Sequence, residues 1–382
     1  MRTSGRIFLY CVYNRYTFYI MDDDMPSVSD NSEINDMRLP KEFRGVTFSE
    51  YKKILVRNEL VRAMLNNKIE PACYWTVELI CAGHFMDVWE TILFFVGKYI
   101  HIGNPKIVIY LEKRYEVFRS ILNQGEMINE LQLRNHPTIR KLFAELVSVL
   151  VMSSKKNSFE AIKINRQEEY DITQMTERLL APSVKYASDS FMNDDPNELY
   201  IALNEFAYNI SSDRLNMRNA CYWVEWILDF DLICRKKKQP CCCEPRDFVK
   251  VESKYRIDCI WILWDILFSY CEKKDSTYIT RLLQSLFQLF CIKYTTASCK
   301  RRRFLLYFAI SLLTEHVPNN IELVTNKTIV SNVTNNINRV YKQLRENEHV
   351  PTTDYLFANL EKETQFENTM RKLQLVQTLD TV

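Results

Sequence analysis

Residues 69–82 read IEPACYWTVELICA, and residues 217–230 read MRNACYWVEWILDF. The word Ala-Cys-Tyr-Trp therefore occurs twice, at 72–75 and at 220–223, and a Glu follows each time, Glu78 and Glu225. Cys and Trp are uncommon residues, so a word built from both, repeated 148 residues apart, points to a duplicated unit rather than to chance. Apolar residues surround the word on every side. Tyr74, Trp75, Tyr222 and Trp223 accordingly read as residues that fill space between packed helices, with their polar tips at the edge, and not as a platform for stacking bases. Glu78 and Glu225 sit inside these apolar helices, where an acid needs a partner such as Arg, Lys or Tyr.

A second pair of similar stretches follows the first. VWETILFFVGKYI starts at Val88 and IWILWDILFSYC at Ile260. Trp75 and Trp89 are 14 residues apart, whereas Trp223 and Trp261 are 38 apart, so the second copy carries about 24 extra residues between its paired helices. The composition fits helices joined by short loops. Only 6 Gly and 11 Pro occur in 382 residues, and average usage would supply roughly three to four times as many Gly. Fifty basic and 48 acidic residues leave a net charge of +2, so no global field advertises nucleic acid or a membrane. The 12 cysteines form no compact framework of paired spacings, which is the pattern of reduced thiols in a cytoplasmic compartment. No apolar run approaches the roughly 18 residues of a membrane span.

The expected fold class is all-α, with two tandem, related helical modules over 41–185 and 196–345. Residues 1–40 read as a tail. Its first twenty residues look like a mis-annotated start, with translation beginning at Met21, and 22–40 as polar and mobile. Thr47-Phe48-Ser49-Glu50 has the form of a capping box that would open a helix over 49–66. Gly103-Asn104-Pro105 can close one helix, cap the next and start it. SFEAIKI from Ser158 reads as a short extended piece, DITQMTERLL from Asp171 as a short helix, and 346–382 as an amphipathic C-terminal tail.

Chemistry, if there is any, is expected in the insertion of the second copy, 231–256. Cys234, Cys241, Cys242 and Cys243 are four thiols within ten residues, beside Arg235, Lys236, Lys237 and Lys238. Neighbouring cations favour thiolate, and four thiolates can close a tetrahedral zinc site. The spacing departs from paired C-x2-C knuckles, so the competing reading is a flexible basic loop with incidental cysteines and no cofactor. The same cations, together with Lys300, Arg301, Arg302 and Arg303, could contact nucleic-acid phosphates. The five histidines have no metal-type spacing, and neither a phosphate loop nor a nucleophile elbow occurs. The expectation is that the protein is not an enzyme.

Residues 69–111 resemble the helical collar of clamp-loader-related AAA+ proteins, through Ala72, Tyr74, Trp75, Gly83, Ile102, Gly103, Asn104 and Pro105. The ATPase module of that family has no counterpart here, so the resemblance implies packing against sister subunits and no nucleotide hydrolysis. The layout, through NACYWVEWILDFDLICRKKK, TEHV followed by NNI, and PTTDYLF, also resembles a helical protein family of large nucleocytoplasmic DNA viruses. That resemblance implies a setting in the host cytoplasm or the virion. Together these give three expectations. The first is a non-enzymatic scaffold that assembles with itself or another protein in viral DNA replication. The alternatives are a zinc-stabilised nucleic-acid-binding protein and a virion structural component.

Overall fold

The helix that carries the first Ala-Cys-Tyr-Trp word runs Ile69–Cys81 and stops where Gly83 adopts a left-handed φ of +76°. In the computed structural model, which describes residues 32–124, 130–165 and 178–349, thirteen α-helices occur and the only β pairing is two isolated bridges. The fold is all-α. The helices are α1 (Lys53–Leu65), α2 (Ile69–Cys81), α3 (Phe85–Phe95), α4 (Ile107–Gln124), α5 (Pro137–Met152), α6 (Tyr200–Ile210), α7 (Met217–Lys236), α8 (Ile260–Lys273), α9 (Thr277–Phe290), α10 (Thr296–Arg301), α11 (Arg303–Thr314), α12 (Lys327–Asn336) and α13 (Asn338–Leu344). None of them is long and apolar enough to cross a membrane. The leader 1–31, most of the helix expected from Asp171 and the tail beyond 349 lie outside the described residues.

The same order of helix contacts recurs in the two halves of the chain. With the six-residue α10 left out of the count, the first helix of each half lies against the second (α1 with α2, α6 with α7), and the second against the fifth (α2 with α5, α7 with α11). First with third, first with fifth and fourth with fifth recur as well. The Trp of the third helix is fully buried in both copies and meets aromatic rings of the fourth. Trp89 lies 5.9 Å from Phe118, and Trp261 lies 6.1 Å from Phe290. Where the copies meet, equivalent helices face each other: α4 packs on α9, tied by Arg281 Nη2 to Glu112 Oε2 at 2.6 Å. One continuous core runs from Ile34 to Leu344. The last two helices cross back onto the first copy, α12 against α5 and α13 against α2.

Three local expectations change. Thr47 is not a helix cap: its N–H donates to Tyr51 O at 2.9 Å and Glu50 is left-handed, so 46–52 forms a tight turn and α1 begins at Lys53. The Asn104 side chain does not cap α4, but donates to Glu322 O and Leu323 O, at 3.3 and 3.2 Å. The polar tail gives way to an ordered strap at Ser32. Ser32, Ile34, Asp36 and Arg38 are buried and the residues between them are exposed, the period of an extended chain. The Asn135 side chain pairs with both N and O of Ile34 at 2.9 Å, and Met37 N donates to His349 O at 3.1 Å, so both ends of the described chain close on one spot.

Helix α3 continues through a π-helical turn, Val96–Ile100, into the short turn His101–Gly103. This irregular end presses on α11. His101 has φ of 48° and is 2% exposed, its ring stacked on Phe308 at 4.9 Å. Burial pulls its imidazole down to about 4, in spite of Glu315 nearby. In the unfolded chain His101 takes up a proton near 6.5, and in the folded chain only near 4, so its contribution is complete above pH 6.5 and is lost as pH falls toward 4. The loss amounts to about 3 kcal/mol, from about 1.4 kcal/mol per pH unit of separation. Urea unfolding at pH 7.5 and pH 4 should show the wild type losing about 3 kcal/mol more than His101→Gln. Equal losses would mean that the folded protein accepts this proton freely.

Candidate functional site at the insertion

Helix α7 is capped by the Asn216 side chain, which accepts from Asn219 N at 3.0 Å, and it runs two turns further than α2 before releasing the insertion. The insertion is not a flexible loop: Cys241, Cys243, Arg246, Val249 and Asp258 are all buried. Its centre is Asp258. Oδ1 accepts from Arg235 Nη2 at 2.9 Å, and Oδ2 accepts from Tyr294 Oη at 2.9 Å and Thr296 Oγ1 at 2.8 Å. Arg235 Nε also donates to Asp231 Oδ2 at 2.6 Å, and these bonds with the two carboxylates hold its guanidinium above the usual arginine range against the opposing effect of burial. Burial raises the Asp231 carboxyl, opposed by Arg235.

The four thiols do not gather at one point. Cys242 pairs with Asp258 as an isolated antiparallel bridge, and Cys243 N donates to Ile257 O at 2.8 Å, so the segment is extended. Successive side chains of extended backbone point to opposite sides. Cys241 and Cys243 are therefore buried and Cys242 is exposed. Cys243 Sγ donates to Asp258 O at 3.2 Å. The zinc set Cys234, Cys241, Cys242 and Cys243 is corrected on this ground, and among the described residues no three His, Cys, Asp or Glu side chains are placed to hold a metal ion. For Cys241 and Cys243 the expected thiolate character is corrected too: burial pushes Cys243 up to about 12 and raises Cys241 as well.

The basic residues divide into two groups. Arg235 serves Asp258. Arg302 is 2% exposed, pairs with Glu90 of the first copy and donates to Phe290 O at 2.5 Å. Arg303 Nη1 donates to Glu225 Oε2 at 3.0 Å, and Tyr307 Oη to Glu225 Oε1 at 2.9 Å. These three arginines hold the fold together and are withdrawn from the phosphate-contact set. Lys236, Lys237, Lys238, Lys300 and Arg301 stay exposed around the end of α7 and the short helix α10. Glu225 thus has the Arg and Tyr partners expected of it; burial still raises its carboxyl, with Arg303 opposing. Glu78 is met differently: its Oε2 accepts from Ser49 N at 3.0 Å, and its buried Oε1 accepts no hydrogen bond.

Two features carry no sequence signal. Arg246, 1% exposed, donates to Asp195 Oδ1 and Oδ2 at 2.6 and 2.5 Å, to Ser190 O at 2.9 Å and to Asp265 Oδ2 at 3.2 Å. It locks the insertion to the linker between the copies and to α8. The other feature is an outward apolar face on α1. Val56, Leu60, Ala63 and Met64 fill the buried side, while Tyr51, Ile54 and Leu55 are 50, 71 and 58% exposed. Tyr51 lies edge-on to the half-buried Trp75, ring centroids 5.9 Å apart. Ile54 and Leu55 belong to the first turn of α1, and Tyr51 to the tight turn that precedes it. Compared with protein-family models, curated proteins and solved structures, the chain matches none.

Proposed function

We propose that the protein is a non-enzymatic helical scaffold that assembles through the outward face of α1, and that the surface it meets is the same face of a second copy. The observation that carries this reading is the exposure of Ile54 and Leu55 in the first turn of α1 and of Tyr51 in the tight turn just before it. Adjacent exposed apolar side chains of this size mark association surfaces. The rim of the face is self-complementary. Lys52 lies at its N-terminal end and Glu59 and Arg62 at its C-terminal end. A two-fold, antiparallel pairing brings Lys52 opposite Glu59 and sets Arg62 over the Tyr51 ring. One helix pair is small beside the roughly 800 Å² per partner of a stable complex, so the dimer forms at high protein concentration.

Sedimentation equilibrium of the full chain over a wide concentration range should show a monomer–dimer equilibrium. Ile54→Glu/Leu55→Glu should weaken it roughly 100-fold, from about 3 kcal/mol of lost apolar burial, with unchanged helicity because both side chains point outward. A wild type that stays monomeric at the highest concentration overturns the reading. A second reading, contact with nucleic-acid phosphates, is favoured by the five cations that remain exposed at the end of α7 and on α10.

A further inference from the structure

At the C-terminal end of α7 the chain folds back on itself. Lys238 N donates to Arg235 O at 3.0 Å and Gln239 N to Cys234 O at 2.9 Å, with Lys238 in the left-handed region at φ of 61°. This pair of bonds is the usual way a helix is closed when the residue after its cap turns left-handed. Pro240 follows, and Cys241 N then donates to Asp231 Oδ1 at 3.3 Å, about one turn back along α7 from Cys234. The backbone that leaves α7 after Cys234 thus returns beside it at Cys241. There the Cys241 thiol lies beside that of Cys234, which adds to the rise that burial imposes on it. Cys234 is half-buried and Cys241 buried. The neighbouring thiols are otherwise placed: Cys243 Sγ lies on Asp258 O, Cys299 Sγ is 2.7 Å from Tyr294 Oη, and Cys242 points to the opposite side of the segment.

We propose that Cys234 and Cys241 form a reversible disulfide site, and that its closure pins the loop carrying Lys236, Lys237 and Lys238 to the end of α7. The oxidant is a low-molecular-weight disulfide, RSSR. The Cys234 thiolate, the more accessible sulfur, attacks one sulfur of RSSR; the S–S bond breaks, and RS⁻ leaves and takes a proton from solvent. The Cys241 thiol then gives its proton to solvent, and its sulfur attacks the Cys234 sulfur of the mixed disulfide. The second RS⁻ departs and is protonated. Two protein thiols have lost two electrons, and RSSR has become two RSH. The order of attack follows from the surroundings, since burial raises the Cys241 thiol and suits it to the resolving step. Forming an S–S bond of roughly 2.0 Å needs side-chain rotation, and the returning turn already supplies the backbone approach.

The test treats the folded full-length chain with oxidised glutathione, blocks the remaining thiols under denaturing conditions, and maps tryptic peptides without reduction. Trypsin cuts within the Arg235–Lys238 run, so a linked pair survives as two peptides joined through sulfur. The expected result is a Cys234–Cys241 link with free thiols falling from 12 to 10, reversed by dithiothreitol. Cys234→Ser and Cys241→Ser should each abolish the link, and Cys242→Ser should leave it intact. Glutathione retained on Cys234 without transfer to Cys241, or a link that instead runs through Cys242 or Cys243, would overturn the proposal.

Discussion

Replacing Arg246 with Ala is expected to destabilise the protein by about 3–5 kcal/mol, the cost of leaving a buried charge without its partner. The charge in question is Asp195, 3% exposed, whose two carboxylate oxygens accept from Arg246 at 2.6 and 2.5 Å. The guanidinium also reaches Ser190 O, Glu244 O and Asp265, so a single truncation frees acceptors on three separate segments. Burial already raises the Asp265 carboxyl, and Arg246 is what opposes that rise. Urea unfolding at neutral pH would measure the loss. Arg246→Met combined with Asp195→Leu should recover part of it, since removing both charges is far cheaper than removing one. A single-variant loss below about 1 kcal/mol would mean that water enters and solvates Asp195 once the arginine is gone.

Gly97→Ala should have the opposite sign from the one helix propensity gives. In an exposed helix interior the change stabilises by about 1 kcal/mol. Here a Cβ on Gly97 would stand 2.8 Å from the carbonyl carbon of Phe304 and 3.0 Å from Leu305 N. Those atoms are the backbone of α11, and every residue from Phe304 to Leu313 is buried, so that helix cannot retreat without disturbing the core. The expected outcome is destabilisation by about 2–3 kcal/mol, read as a lowered thermal midpoint with helicity retained below it. Gly103 belongs to the same closure, since its Cβ would meet Lys156 N at 2.6 Å. A stabilised Gly97→Ala variant would show that the π-helical turn and α11 have room between them.

The sequence carried the fold class because it depends on short-range patterns. Scarce Gly and Pro, apolar stripes and a repeated aromatic word are local facts, and the helices α2, α3 and α9 follow from them. The word also marked packing correctly. Trp223 is 1% exposed, and Glu225 lies against Arg303 and Tyr307. The insertion stood out by its length and its cysteines, but its chemistry was misread. Four thiols close in sequence imply a cluster only when the backbone brings all of them to one side, and over 241–243 it is extended, which sends Cys242 away from Cys241 and Cys243.

What only the tertiary structure decided is which charges are already engaged and which faces are left open. Arg235, Arg302 and Arg303 look the same in sequence as Lys236 and Lys300, yet Asp258, Glu90 and Glu225 claim the first three from distant parts of the chain. Arg246 and Asp195 are separated by the two whole helices α6 and α7, and nothing local announces their pairing. Helix α1 has apolar residues on more than one side, and only its packing on α2 selects Val56 and Leu60 for the core and leaves Ile54 and Leu55 in solvent. The physical reason is the same in each case. Periodicity is written along one segment, whereas the pairing of buried charges and the choice of a buried face depend on atoms that another segment brings.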